Sequence, residues 1–204
     1  MVSAIVGAAA SIIFFFGDDL IVLWTANKEL GANIGNILKV LTLGTLLNSF
    51  MSMPYMLQLA FGWSSFAAKT NLIAVIFLVP AIVIITPIYG VIGAAWIWVV
   101  LNAGYVFIAA HIMFKTILPT EKSRWFIDDL FKPFFATLAT VLCYWLLIPD
   151  FTNRLYQILF IILAGLTAIL AAIAFSKELK TSLKLFFEAN RKFGGSACNP
   201  NQQK

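Results

Sequence analysis

The sequence predicts an all-α fold, a polytopic membrane helix bundle of about six transmembrane helices. Three observations predict it. Of the 204 residues, 61% are hydrophobic and 11% charged, where an ordinary soluble domain is roughly 45–50% apolar and about 25% charged. A soluble globule of this length lacks the interior to hide so many Phe, Leu, Ile and Trp side chains, and the mean hydropathy of +0.93 agrees. The charges also come in clusters, leaving uncharged runs at 1–17, 40–68, 70–114, 133–149 and 155–176. About 20 apolar residues cross a hydrocarbon core, so these runs have the length of spans. Finally, the basic residues segregate to alternate loops. Composition thus excludes a soluble enzyme, a disordered chain and a classical nucleic-acid-binding domain, and no nucleic-acid partner is expected.

The first span is read over 2–22. No Lys or Arg precedes VSAIVGAAASIIFFF, and Gly17-Asp18-Asp19 follows it instead of a small-x-small cleavage site. The stretch therefore reads as a membrane helix and not as a secretory signal. Asp18 and Asp19 are too costly for the bilayer centre and are expected at an interface. The second span is read over 40–60, interrupted by Pro54. The long run 70–114 holds most of two spans, 67–87 and 91–114. Pro80 sits in the middle of the first, and Pro87-Ile88-Tyr89-Gly90 supplies the reversal between them. The fifth span, 133–150, is short. It follows SRWFIDDLF (123–131), an expected interfacial helix with Ser123 as its N-cap. The sixth is read over 155–175, where Ala164, Ala168 and Ala172 form a stripe suited to close helix packing. Together these make one lobe over 1–176. Residues 177–193 alternate Leu and Phe with Lys and Arg, as in a helix lying on an anionic cytoplasmic leaflet. Residues 194–204 are expected to be disordered.

Orientation follows from charge. Lys69, then Lys115, Lys122, Arg124 and Lys132, then Lys177, Lys180, Lys184, Arg191, Lys192 and Lys204 share one side. Of the chain's 14 basic residues, Lys28, Lys39 and Arg154 are left for the other. Basic residues favour the cytoplasmic side, so both termini are expected there.

Catalytic material is sparse. The chain has one histidine, His111, and two distant cysteines, Cys143 and Cys198, which gives a metal site or a His-based triad almost nothing to work with. No HExxH, Gly-rich phosphate loop or GxSxG occurs. Asp128-Asp129 reads as a pair of solvated loop residues. Neither enzymatic activity nor a metal or other cofactor is expected. Neutral polar residues inside the spans are more informative. Asn48, Ser52 and Tyr55 recur at spacings of four and three in the second span, near Gln58. Asn71 opens the third span, and the fourth carries Asn102, Tyr105 and His111. Amides and hydroxyls in hydrocarbon must be satisfied by protein or by a wet cavity, and as a set beside proline breaks these residues read as a cavity lining. Taken singly, each reads as glue between helices.

The succession LWTANKEL, ILKVLTLGTLLNSFMSMPYMLQLAFGW, NLIAVIFLVPAIVI and YGVIGAAWIWVVLNAGYVF resembles the oligosaccharide and polysaccharide (O-antigen type) flippases of the multidrug/oligosaccharidyl-lipid/polysaccharide exporter superfamily. The likeness covers about residues 1–135, and SRWFIDDLFKP resembles the family's loop before its next span. The resemblance implies one lobe, the C-terminal half, of a MATE-like flippase of the cytoplasmic (inner) membrane. Its substrate would be a polyprenyl-pyrophosphate-linked oligosaccharide for surface polysaccharide, such as lipopolysaccharide, biosynthesis. It also implies a missing N-terminal lobe or a partner chain completing the cavity. Carried over by position, Lys39, Asn48, Tyr55, Gln58, Asn71 and Asn102 are the candidate substrate-cavity residues, with Pro54, Pro80, Pro87 and Gly90 as helix breaks or hinges. The alternatives are a non-catalytic membrane partner of a polysaccharide-biosynthesis complex, a small-molecule exporter fragment, or a fragment of a membrane glycosyl- or acyltransferase.

Overall fold

The computed structural model describes residues 2–149, 151, 153–176 and 181, and the expectations for 177–193 and 194–204 fall outside the described residues except at Thr181. Among the described residues the chain forms helices and no strand. They are α1 (Val2–Thr25), α2 (Lys28–Phe50), α3 (Ser52–Ala60), α4 (Ser64–Gly104), a π-helical turn (Tyr105–Ala109), α5 (Ala110–Ile117), the short α6 (Lys122–Arg124), a second π-helical turn (Trp125–Phe131), α7 (Lys132–Leu146) and α8 (Arg154–Phe175). Four helical runs, Ser3–Thr25, Lys28–Ala60, Ser64–Ile117 and Arg154–Phe175, are long and apolar enough to cross a membrane. Large apolar side chains such as Phe77 and Leu147 stand about three-quarters exposed, at 73% and 76%. That is an expensive surface in water and an ordinary one in lipid.

The helix ends have local causes. Ala26 turns the chain with φ 58°, and the Asn27 side chain caps α2 by accepting from the Leu30 N–H at 3.1 Å. α2 thus begins at Lys28, well ahead of the expected 40. The expected interruption by Pro54 lies at Met51, between α2 and α3. A proline ring clashes with the carbonyl four residues earlier and offers that carbonyl no N–H. For Pro54 that residue is Phe50, where α2 stops.

α4 is a hairpin of two helical limbs, 64–89 and 91–104. The backbone leaves helical geometry at Gly90 (φ 67°, ψ −158°) and at neither Pro80 nor Pro87. This region of φ/ψ space is essentially restricted to glycine. The reversal is sharp: a Cβ on Gly93 would lie 2.9 Å from Ile85 Cγ2. Further along, the Tyr105 hydroxyl donates to Asn71 Oδ1 at 2.8 Å, although 34 positions separate the two. A straight helix would hold them about 50 Å apart. The expected turn at 87–90 therefore falls at its glycine, while Pro80 and Pro87 are carried inside the first limb. Apolar helices tolerate proline where neighbouring groups re-satisfy the freed carbonyls.

α1 is the central post, packed against α2, α7 and α8. It can be approached closely because the contacts are small. Gly31 of α2 faces Val22, where a Cβ would come within 2.7 Å of Cγ2. Gly165 of α8 similarly faces Ile12 Cδ1 at 2.7 Å, and Gly35 receives the Asp18 side chain directly over its Cα. The Ala164, Ala168 and Ala172 stripe is fully buried. Phe16, buried at 0%, meets Phe160 edge-on at 6.4 Å and shares a cluster with Val141 and Ile161. A second cluster joins Leu46 and Phe50 to Val106, Met113, Phe114 and Trp125. The expected fifth span begins earlier than 133, because the 125–131 π turn runs straight into α7, and it ends earlier than 150, at Leu146.

Candidate functional site

Where α2 breaks into α3, the side chains on the outer flank of the break meet the start of α4 and the first π turn. They form a partly open cavity of about 240 Å³ lined by Asn48, Met51, Ser52, Tyr55, Gln58, Phe66, Ala67, Thr70, Asn71, Tyr105 and Ala109. Two wider grooves, of about 540 and 700 Å³, are lined mainly by apolar side chains.

The local sequence explains the convergence. Asn48, Ser52 and Tyr55 keep their shared face across the Met51 break because the break is shallow. The Met51 N–H bonds Asn48 O at 3.1 Å, and the Tyr55 N–H bonds Met51 O at 3.0 Å, so the helix resumes almost in line. α3 then reaches α4 through a tight corner at Gly62 (φ 69°). The Trp63 N–H closes that corner on Gln58 O at 2.8 Å, and Trp63 stacks on Phe66 with centroids 4.4 Å apart. The hairpin at Gly90 brings Tyr105 back over Asn71, completing the far wall.

Among the described residues lining the cavity none is charged: the polar side chains are amides and hydroxyls. Asn71 accepts from Tyr105, and Thr70 donates to the Phe66 carbonyl at 2.9 Å. The Gln58 side chain is 2% exposed, lines the cavity and meets no hydrogen-bond partner among the described residues. Its amide stands at the cavity wall, so Gln58 presents a polar group to whatever fills that space.

Of the six residues expected to line a cavity, the structure brings together Asn48, Tyr55, Gln58 and Asn71 and leaves out Lys39 and Asn102. Lys39 lies in the middle of α2 and donates to Asp18 Oδ2 at 2.7 Å. Its cation is committed to neutralising a carboxylate on α1. Asn102 is fully buried, donates to the Trp98 carbonyl of its own helix at 2.8 Å, and leaves its Oδ1 without a partner among the described residues. Of the expected breaks, Gly90 shapes the cavity by returning Tyr105, and Pro54 sets the shallow break at Met51. Ser52 and Tyr105 were visible among the polar span residues. Thr70, Phe66 and Ala109 carried no signal, since hydroxyls, rings and small residues occur on every face of an apolar helix.

Away from the cavity, Asp19 accepts from Gln157 Nε2 of α8 at 3.1 Å. The two α1 carboxylates are thus engaged by side chains from two different helices, Asp18 in an ion pair and Asp19 in a hydrogen bond. Asp128 and Asp129, expected in a loop, lie instead in the 125–131 π turn, where Asp128 pairs with Lys132 one turn on, both side chains about half exposed. Among the described residues, no group of three His, Cys, Asp or Glu side chains is placed to hold a metal ion. The chain matches no family model, no curated protein and no solved structure.

Proposed function

We propose that this chain forms one lobe of a membrane transporter that moves a polyprenyl-pyrophosphate-linked oligosaccharide across the cytoplasmic membrane, with the α2–α3–α4 cavity as part of the substrate path. The observation that carries the reading is the polar, uncharged cavity set among helices that are otherwise apolar and lipid-compatible. Amides and hydroxyls among lipid-compatible helices are satisfied by protein or by a wet cavity, and such a cavity suits a hydroxyl-rich ligand passing through. The exposed first limb of α4 beside the cavity offers an apolar flank for a companion lobe. In this reading six crossings arise from α1, α2–α3, the two limbs of α4, the 122–146 helix and α8. The even number puts both chain ends on the side favoured by the basic loops. The sequence resemblance to oligosaccharide flippases points to the same activity.

The test is the leaflet distribution of the lipid-linked oligosaccharide in the host cell. Loss of the chain is expected to strand the glycolipid on the cytoplasmic leaflet, where an impermeant glycan-modifying reagent added to sealed right-side-out vesicles cannot reach it. An unchanged distribution would contradict the proposal.

A further inference from the structure

The lining chemistry restricts what part of such a substrate the cavity holds. We propose that it binds an uncharged sugar ring of the glycan, a neutral hexose or N-acetylhexosamine, and does not hold the pyrophosphate. The inference rests on the transport reading above for its biological setting, but its chemical basis is local.

A pyrophosphate carries several negative charges and is bound through charge-assisted bonds from Arg, Lys or helix N-termini. Among the described residues none of the cavity-lining side chains is cationic. Lys39, the cation expected from the sequence, is held by Asp18 on another face of α2. Lys69 precedes the lining pair Thr70 and Asn71 in the chain but is itself exposed and absent from the wall. A neutral sugar needs a different set: groups able both to donate to and to accept from hydroxyls, and flat apolar surface for its C–H face. Each carboxamide offers both functions, and Asn48, Gln58 and Asn71 supply three of them. Tyr55 and Ser52 add hydroxyls, and Phe66 and the two tyrosines add rings. Gln58 is buried and lacks a partner among the described residues, so a sugar hydroxyl would satisfy an amide that the fold leaves open. The Asn71 amide nitrogen also stays available, because the Tyr105 hydroxyl engages its oxygen.

The full chain in detergent micelles can be tested by saturation-transfer NMR with methyl glucoside and N-acetylglucosamine, using inorganic pyrophosphate and glucuronate as competitors. Transfer to the neutral sugars is expected, and excess pyrophosphate is expected to leave it unchanged. Gln58→Leu and Asn71→Leu should each weaken the sugar Kd about threefold to tenfold, the range for losing one neutral hydrogen bond. The thermal midpoint in detergent guards against a folding artefact: both leucine variants should melt close to wild type while losing sugar affinity, Gln58→Asn, which keeps the carboxamide, should retain more affinity than Gln58→Leu, and glucuronate should compete as poorly as pyrophosphate. Displacement of the sugar by pyrophosphate would overturn the assignment. So would sugar signals that are equal in the wild-type chain and both leucine variants. Neither result bears on transport, which is judged separately by the leaflet distribution.

Discussion

The two sides of α2 solve the same problem in opposite ways. Toward α1, polar groups are paired: Lys39 with Asp18, and Asp19 with Gln157 of α8, beside glycines and alanines that let the backbones approach. Toward α3 and α4, polar groups are uncharged, gathered around open space, and in Gln58 left without a partner among the described residues. The backbone follows the same division. α1 and α8 are regular helices, whereas the cavity side holds the Met51 break, the Gly90 reversal and a π turn. Irregular helix recurs at functional positions because it gives up some backbone bonding to aim side chains. The α1 side is a scaffold, and the α3–α4 side is where polarity remains available for a ligand.

Substitutions on the two sides should therefore separate stability from activity. The largest loss of stability is expected from Gly35→Leu, which drives a side chain into Asp18. Overpacking of this kind costs about 3 kcal/mol, read as a fall in the thermal midpoint of the chain in detergent. A midpoint equal to wild type would mean that the α1–α2 contact is loose. Gly90→Ala comes next. A Cβ there meets nothing within 4 Å, so the cost is conformational, about 2 kcal/mol for a residue forced into a glycine-only region. Spin labels at the exposed positions Leu72 and Phe107 should then report a broadened distance distribution as the hairpin opens. A sharp, unchanged distance would refute the role given to Gly90. Lys39→Met should cost about 1–2 kcal/mol, between the values for exposed and buried pairs, since the side chains are 27% and 48% exposed. Adding Asp18→Asn should recover most of that loss, because the penalty is the uncompensated carboxylate. No recovery in the double variant would show that the pair does not act as a unit. The smallest stability effect belongs to Asn71→Leu, within about 0.5 kcal/mol, accompanied by a marked fall in glycolipid translocation. A variant equally stable and fully active would remove Asn71 from the site.

Much of this division was legible in the sequence because it was written in local patterns. The uncharged runs marked where apolar helices lie, and α8 follows its run almost residue for residue. The Ala164, Ala168 and Ala172 spacing foretold a packed seam, and a glycine after Pro87 foretold a reversal. The spacing of Asn48, Ser52 and Tyr55 foretold a shared face. What stayed hidden depended on partners distant in the chain. Lys39 reads as a free cation until the α1–α2 hairpin brings Asp18, 21 positions away, onto it. Asn102 reads like Asn71, since an amide pattern does not say whether the amide bonds its own helix or faces a cavity. Pro80 reads as a break by its soluble-protein behaviour, yet the helix runs through it.

The central claim, that polar space in this bundle lies at the α2–α3–α4 corner and not against α1, is tested most directly by cysteine accessibility. With Cys143 and Cys198 replaced by Ala, single cysteines are placed at Gln58 and Asn71 on one side and at Ala168 and Val141 on the other, and exposed in membranes to a charged, membrane-impermeant thiosulfonate. Reaction at Gln58→Cys and Asn71→Cys, with none at Ala168→Cys and Val141→Cys, is the predicted pattern. Protection at the first pair, under conditions where a lipid-soluble maleimide still reaches them, would show the corner to be dry and would contradict the account.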